Sequence, residues 1–253
     1  MSNAAVPQNV YDNPVFFEGY KRLREQDSGL NGPLEIPALR ALLPDLAGLR
    51  VLDLGSGFGD FARYARAQGA RSVTGVDVSQ SMLAEAARLT TDEHIIYWHS
   101  PIEHFAPAAE SFDLVVSSLA LHYIADYQGV VRKAFDTLVP GGRLVFSVEH
   151  PVVTANPVGW VTDARGTRLH WPLSDYQSEG ERQISWFVDN VRKFHRTLES
   201  YVNTLIAAGF RLEHLGEPKP LAAFLKERPA LETELRRPPF LVLAATKPAV
   251  ATE

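Results

Sequence analysis

The chain contains no cysteine. That excludes disulfides, thiolate metal ligands and a cysteine nucleophile. No apolar run approaches the roughly 18 residues that a membrane-spanning helix needs, so no membrane partner is expected. The first residues lack the apolar core of a signal peptide, and a cytoplasmic location is the expectation that follows. A basic excess is missing too. Lysine and arginine number 25 against 30 aspartates and glutamates, a net charge of −5, whereas nucleic-acid-binding domains usually carry the opposite balance. The single Arg-Arg dipeptide, Arg236 and Arg237, reads as part of a solvated loop. No two histidines stand at the close HxH or HxxxH spacing of a metal site, so no metal is expected.

What is present is an ordinary globular composition, 45% hydrophobic and 22% charged over 253 residues, enough for one large α/β domain. The chain is organised around RVLDLGSGFGD, Arg50 to Asp60. Val51 to Leu54 reads as a buried parallel strand. Gly55, Gly57 and Gly59 allow a sharp turn and close approach to a ligand, and Asp60 to Gln68 reads as a helix stopped by Gly69. Ser72 to Val76 is a second strand, ending in Asp77 about 20 residues past the glycines, where a carboxylate accepts hydrogen bonds from ribose hydroxyls. The spacing is GxGxG; the third glycine of a dinucleotide fingerprint would fall on Asp60. With Asp53 nearby, that carboxylate opposes a pyrophosphate at the helix N-terminus and favours a cationic, phosphate-free adenosyl ligand.

VLDLGSGFG from Val51 to Gly59 resembles the first motif of the class I S-adenosylmethionine-dependent methyltransferases, of the kind that act on small molecules. GVDVSQSML from Gly75 to Leu83 is similar to their second motif, and VPGGRLVFS from Val139 to Ser147 to the turn before their fifth strand. The likeness runs from Leu39 to Glu149. It implies a Rossmann-like, doubly wound α/β fold: a seven-stranded sheet, mostly parallel with an antiparallel last strand, and helices on both faces. Further strands are expected at His94–Trp98, Phe112–Ser117, Arg143–Val148, Arg211–Leu215 and Phe240–Ala245, and helices at Pro14–Arg24, Gln128–Leu138 (stopped by Pro140-Gly141-Gly142) and after the N-caps Ser79 and Thr197. The whole chain, 1–253, would be one domain: a cofactor core at 35–149, an N-terminal lid at 1–34 and a substrate-covering insert at 151–195. Residues 217–238 are expected outside the site.

The resemblance implies S-adenosylmethionine as cofactor and S-adenosylhomocysteine as product. Gly55, Ser56 and Gly57 would pass the methionine part, and Asp53 would order the turn and hold the amino group. Asp77 would take the ribose, Val78 and Met82 the adenine faces, Ser100 and Ile102 the adenine edge. Ser118 and Leu119 would pass under the sulfur; Tyr20 and Arg24, on the N-terminal segment, would close over it. Asp53 as a turn-former and Tyr20 as core packing are the plainer alternatives. His122, His150 and His195 are candidate bases, since histidine takes a proton near neutrality; hydrogen-bonded structural histidines are the alternative. Trp160, Trp171, Tyr176 and Trp186 would form an acceptor pocket or the insert's own core. The expected reaction is O-, N- or C-methylation of a small molecule by a monomer or homodimer. A nicotinamide-dependent oxidoreductase and a non-catalytic adenosylmethionine-binding protein are the rivals.

Overall fold

The structure is a computed structural model describing residues 7–26, 29–156 and 158–249. A short 3-10 turn, Val10–Asp12, leads into helix α1, Pro14–Glu25. The Asn13 side chain accepts from the amides of Val15 and Phe16 and Pro14 occupies the first turn, the usual start signals. A π-type turn, Asn31–Glu35, runs straight into α2, Ile36–Ala41.

The βα units follow: β1 Arg50–Leu54, α3 Asp60–Ala67, β2 Ser72–Asp77, α4 Gln80–Leu89, β3 Ile95–His99, β4 Phe112–Ser118, α5 Tyr127–Thr137 and β5 Leu138–Glu149. Ser79 caps α4 by accepting from the Met82 amide, and Asp126 caps α5 through Gly129. After β5 come α6 Pro151–Thr154, β6 Val161–Thr162, β7 Arg168–His170, β8 Gly180–Trp186, β9 Val188–His195, α7 Leu198–Ala207, β10 Arg211–Gly216, α8 Ala222–Glu227, a 3-10 run Pro229–Arg236 and β11 Phe240–Thr246. Thr197 caps α7.

Seven strands form the main sheet in the order β10-β11-β5-β4-β1-β2-β3. β11 is antiparallel to both β5 and β10, and the β5-β4-β1-β2-β3 pairs are parallel. This is the expected Rossmann-like fold. Alternate residues of each strand feed cores on opposite faces. Leu52, Leu54, Val115, Leu144 and Phe146 pack with Val130 and Val131 of α5 and Leu205 of α7. Val51, Val73, Leu114, Val116 and Val145 pack with Leu39 of α2 and Ala62 and Ala65 of α3. Leu114 and Val115 are both 0% exposed, and each such side chain contributes roughly 1.5–3 kcal/mol.

Two expectations about local structure change. Pro140-Gly141-Gly142 is a bulge inside β5 rather than a stop: Gly141 has φ +83°, its amide donates to the Lys247 carbonyl at 2.8 Å, and the Lys247 amide donates to Gly142 at 2.9 Å. The stretch after β5 is also regular. β6 and β7 pair, and β8 and β9 form a hairpin from Gly180↔His195 to Trp186↔Val188. Its tight turn is made by Phe187, at φ +56°. Among the described residues no helix is long and apolar enough to cross a membrane.

Candidate active site

The ends of β1 and β2 build the floor of the site. Beyond Leu54 the chain turns through Gly55, Gly57 and Gly59, all at positive φ. The amides of Gly55 and Ser56 both donate to the Val76 carbonyl, at 2.8 and 3.0 Å. The Gly57 amide donates to Asp77 Oδ2 at 2.8 Å, and Asp77 Oδ1 accepts from the Ser79 amide at 2.9 Å. A Cβ on Gly55 would collide with the Ala120 methyl, and one on Gly59 with the Tyr97 hydroxyl. On Gly57 it would meet nothing within 4 Å, because that glycine opens on a cavity of about 440 Å³.

This cavity lies over the C-terminal strand ends. Tyr20, Arg24, Asp53, Gly55, Ser56, Gly57, Asp77, Val78, Met82, Ile102, Ser118 and Leu119 all line it. Ser100 does not: its hydroxyl donates to the Pro101 carbonyl at 3.0 Å and its amide to that of Asp77 at 2.9 Å. Pro101 and Glu103 flank Ile102 on the wall instead.

Asp53 is 1% exposed and its Oδ2 has no hydrogen-bond partner among the described residues. Burial, with the negative charges of Asp77 and Asp60 adding to it, pushes its pKa up to about 8. The neighbouring Ser56 hydroxyl is also buried and unpartnered. An orphaned carboxyl oxygen facing a cavity fits a cationic ligand group, and the open face of Gly57 fits a ligand passing close to the backbone. Both suit an adenosyl sulfonium bearing an ammonium. Asp60 contributes less than its position in the sequence suggests. Its carboxylate is bracketed by Arg24 at 2.9 Å and Arg63 at 2.5 Å, so it presents no bare charge to a phosphate. Asp53 is the carboxyl group that favours a cation here.

Only one of the three histidines reaches the cavity. His122 lines it, fully buried, with Nδ1 accepting from the Glu149 amide at 3.3 Å. Burial pushes its pKa down to about 3. The neutral ring therefore carries its proton on Nε2 and is a hydrogen-bond donor, not the base expected at this position. His150 lies outside. It caps α6 by accepting from the Val152 amide at 3.1 Å, and its Nε2 faces Glu217 at 2.9 Å. His195 is also outside, its two nitrogens engaged by the Thr154 hydroxyl and the Tyr176 carbonyl, both at 2.8 Å. Both are structural. Except for the His150 cap on Val152, the hydrogen bonds that hold them are long-range, which strand-end position alone does not reveal.

Several lining residues escape the sequence reading. Glu149, the last residue of β5, faces the cavity and pairs with Lys193 Nζ at 2.6 Å; burial alone would raise its pKa, but the lysine's charge and hydrogen bond hold it below the usual carboxylate range. Arg237 lines the wall with Pro239 and Phe240, which corrects both the solvated-loop reading of this arginine and the exclusion of 217–238 from the site. Tyr11, Tyr123 and Trp186 line the cavity as well. Behind it, Glu35 is fully buried, with Oε1 accepting from the Ser118 and Ser147 hydroxyls at 2.9 and 2.5 Å. No spacing in the sequence marks it. Among the described residues no cluster of His, Asp and Glu is arranged to hold a metal.

The fold and this floor have known counterparts. A family model described as a methyltransferase domain matches residues 52–146. A crystal structure from Listeria monocytogenes, named for an S-adenosylmethionine-dependent methyltransferase, has a TM-score of 0.81 and 42% identity over 84% of this chain and 96% of that one. An S-adenosylmethionine-dependent methyltransferase from Mesorhizobium loti gives 0.80 and 45%, over 86% of this chain and 100% of its own. A Haemophilus influenzae protein of uncharacterised function is 35% identical over 251 residues, 94% of this chain and 97% of that one. The nicotinamide-dependent alternative falls with these matches. At such identity over more than four fifths of the sequence the likeness extends past the fold, and the chain belongs to the class I S-adenosylmethionine-dependent methyltransferases.

Proposed function

We propose that this methyltransferase acts on a small-molecule acceptor, releasing S-adenosylhomocysteine and an O-, N- or C-methylated product. The observation that carries the reading is an aromatic clasp over the cavity. Phe16 of α1 meets Trp186 and Phe187 of the β8–β9 hairpin edge-on at 5.2 and 5.5 Å, and Tyr20 meets Trp186 at 6.0 Å. Gln8 joins the same cover, its side chain accepting from the Arg192 amide at 2.7 Å and donating to the Arg192 carbonyl at 3.3 Å. A cover made of the chain's own N-terminal segment and hairpin suits an acceptor that is enclosed, not one presented by a protein or nucleic-acid surface.

In this reading residues 35–149 are the cofactor core, the described part of 1–34 is a lid and 151–195 is the substrate-covering insert. Asp77 binds the ribose hydroxyls, Val78, Met82 and Ile102 flank the adenine, and Asp53 faces the methionine ammonium. What the bound cofactor supplies is a methyl group on a positively charged sulfur, already activated for displacement. The protein's task is to orient the acceptor and exclude water. Leu119 and Tyr20 bound the reaction space, and His122 donates a hydrogen bond to the acceptor.

Incubation with methyl-labelled S-adenosylmethionine and a cell extract divided into metabolite, protein and nucleic-acid fractions tests the reading. Label is expected in the metabolite fraction. Label confined to macromolecules overturns it.

A further inference from the structure

Arg237 follows the 3-10 run and lines the cavity beside Glu149, Val153 and Phe240. Its side chain is 12% exposed, and one ion pair holds it, Nη2 to Glu234 Oε2 at 3.2 Å. Glu234 also faces Arg168, at 3.6 Å from its other oxygen, and its Oε2 makes no hydrogen bond among the described residues, so its contact with Arg237 is one of charge without a hydrogen bond. The Trp171 ring lies 4.2 Å from the Arg237 guanidinium carbon and the Trp160 ring 5.7 Å. Both rings lie within reach of this cation, whereas its N–H donors point outward in the guanidinium plane and need acceptors there. Nε and Nη1 have none: both are buried without a hydrogen-bond partner among the described residues. The neighbouring Arg236 shows the contrast. It also stacks on Trp160, at 4.9 Å, but donates to the carbonyls of Arg168 and Leu169. Glu149, the other carboxylate beside Arg237, is already taken by Lys193. Unpaired donors on a buried charge are costly, and a ligand that pairs them recovers that cost.

We infer that Arg237 anchors an anionic oxygen group, carboxylate or phosphate, on the acceptor, so that the substrates of this enzyme are small acids. The inference rests on the small-molecule reading and gives that acceptor a chemical class. Guanidinium is suited to the task because it stays charged when buried and presents several donors to one oxyanion. The same cavity is lined by the apolar and aromatic side chains of Val153, Trp186 and Phe240. The rest of the acceptor is accordingly apolar, with its charge at the Arg237 end.

The test titrates the wild-type protein, saturated with S-adenosylhomocysteine, with phenylacetate, phenyl phosphate and neutral phenylacetamide at constant ionic strength. At least one anion should bind about tenfold or more tighter than the amide, and whichever binds better separates carboxylate from phosphate. Arg237→Gln should erase the difference while S-adenosylhomocysteine affinity stays within about threefold, and Arg237→Lys should retain part of it. The inference is overturned if the amide matches both anions, if neither anion binds at tens of millimolar, or if Arg237→Gln keeps the preference. The wild-type comparison decides even where the glutamine variant fails to fold. These outcomes read ligand charge alone. Label found only in macromolecules in the fractionation experiment would instead remove the small-molecule reading, whatever the anion preference.

Discussion

The amide of Gly57 donates to Oδ2 of Asp77 across 2.8 Å, tying the glycine turn after β1 to the end of β2. The other carboxylate oxygen holds the Ser79 amide, and Ser79 in turn caps α4. One side chain thus sets the position of a turn, a strand end and a helix N-terminus. Each of its oxygens keeps a lone pair for a further donor.

Asp77→Ala should therefore lose more than a ribose contact. Removing hydrogen bonds to a charged group costs roughly 1.5–3 kcal/mol, and the freed turn adds disorder at Gly57. Calorimetric titration with S-adenosylhomocysteine should show affinity reduced by at least about tenfold. An affinity within twofold of the parent would remove Asp77 from the ribose site.

If Asp53 faces the methionine ammonium as proposed, cofactor binding should depend on pH. With its pKa near 8, the unliganded protein at pH 7 holds a proton on this carboxyl, and a cation placed against it favours the ionised form. Binding should release a proton below about pH 8, and affinity should rise with pH up to that point and then level. Heats measured at pH 7 in two buffers of different ionisation enthalpy should differ for the wild type and coincide for Asp53→Asn. The sign for stability is opposite to that of a salt-bridged aspartate. The folded pKa lies above the unfolded value of about 3.9, so this group's contribution is fully present below pH 4 and is lost as pH rises toward 8. Asp53→Asn should accordingly melt higher than the wild type at pH 8 and not at pH 4. Buffer-independent heats in the wild type would show that the carboxyl is already ionised.

What the sequence discloses and what it hides divide along the range of the interactions. Val51 to Leu54, the GxGxG turn, Asp77 at a strand end and the caps Ser79 and Thr197 are local patterns, and each is found where its spacing puts it. Arg237 is different. It reads as one of a pair of surface arginines, and only the packing of the Pro229–Arg236 run against β6–β7 and the Trp160 and Trp171 rings turns it inward. The β8–β9 hairpin hides for another reason. Its turn uses Phe187 and its second strand bends at Asn190, both at positive φ, where Asn-Gly or Asp-Gly would have announced it. Within β9, Val191, Lys193 and His195 alternate inward, which leaves His195 under α6 and sends Lys193 to Glu149. Strand-end position narrows the candidates for chemistry but does not say which of them face the cavity.

His122 should show no titration in the working pH range. A base with an ordinary histidine pKa would give the rate a limb falling below about pH 6.5. With its pKa near 3 and its proton on Nε2, His122 donates a neutral hydrogen bond throughout. His122→Phe should lower kcat/KM by about tenfold at most, the worth of about 1.4 kcal/mol, and leave the profile between pH 5 and 8 unchanged in shape. Loss of an acidic limb in the variant would restore the histidine as a base.

The clasp offers the sharpest test of how the cavity works. Excising 151–195 would not isolate a lid, because the segment includes Val191, Lys193 and His195, all buried in the body of the protein, and its removal strands Glu149 without its cation. Trp186 is the better target. It lines the cavity at the tip of β8, meets Phe16 and Tyr20 of α1, and lies 5.4 Å from the Lys193 ammonium. None of the β1 and β2 contacts that build the cofactor floor passes through it. Trp186→Ala should therefore leave S-adenosylhomocysteine affinity within about tenfold, or ~1.4 kcal/mol, and lower methyl transfer by more than that, because the acceptor end loses its wall and admits water. Gly19→Leu should act in the same direction through the backbone. Even a Cβ there would come within 2.6 Å of the Phe187 ring, and a larger side chain must push the hairpin off α1. If both variants fold, bind the product nucleoside normally and still turn over at the parental rate, the clasp is packing between two surface elements and not a cover.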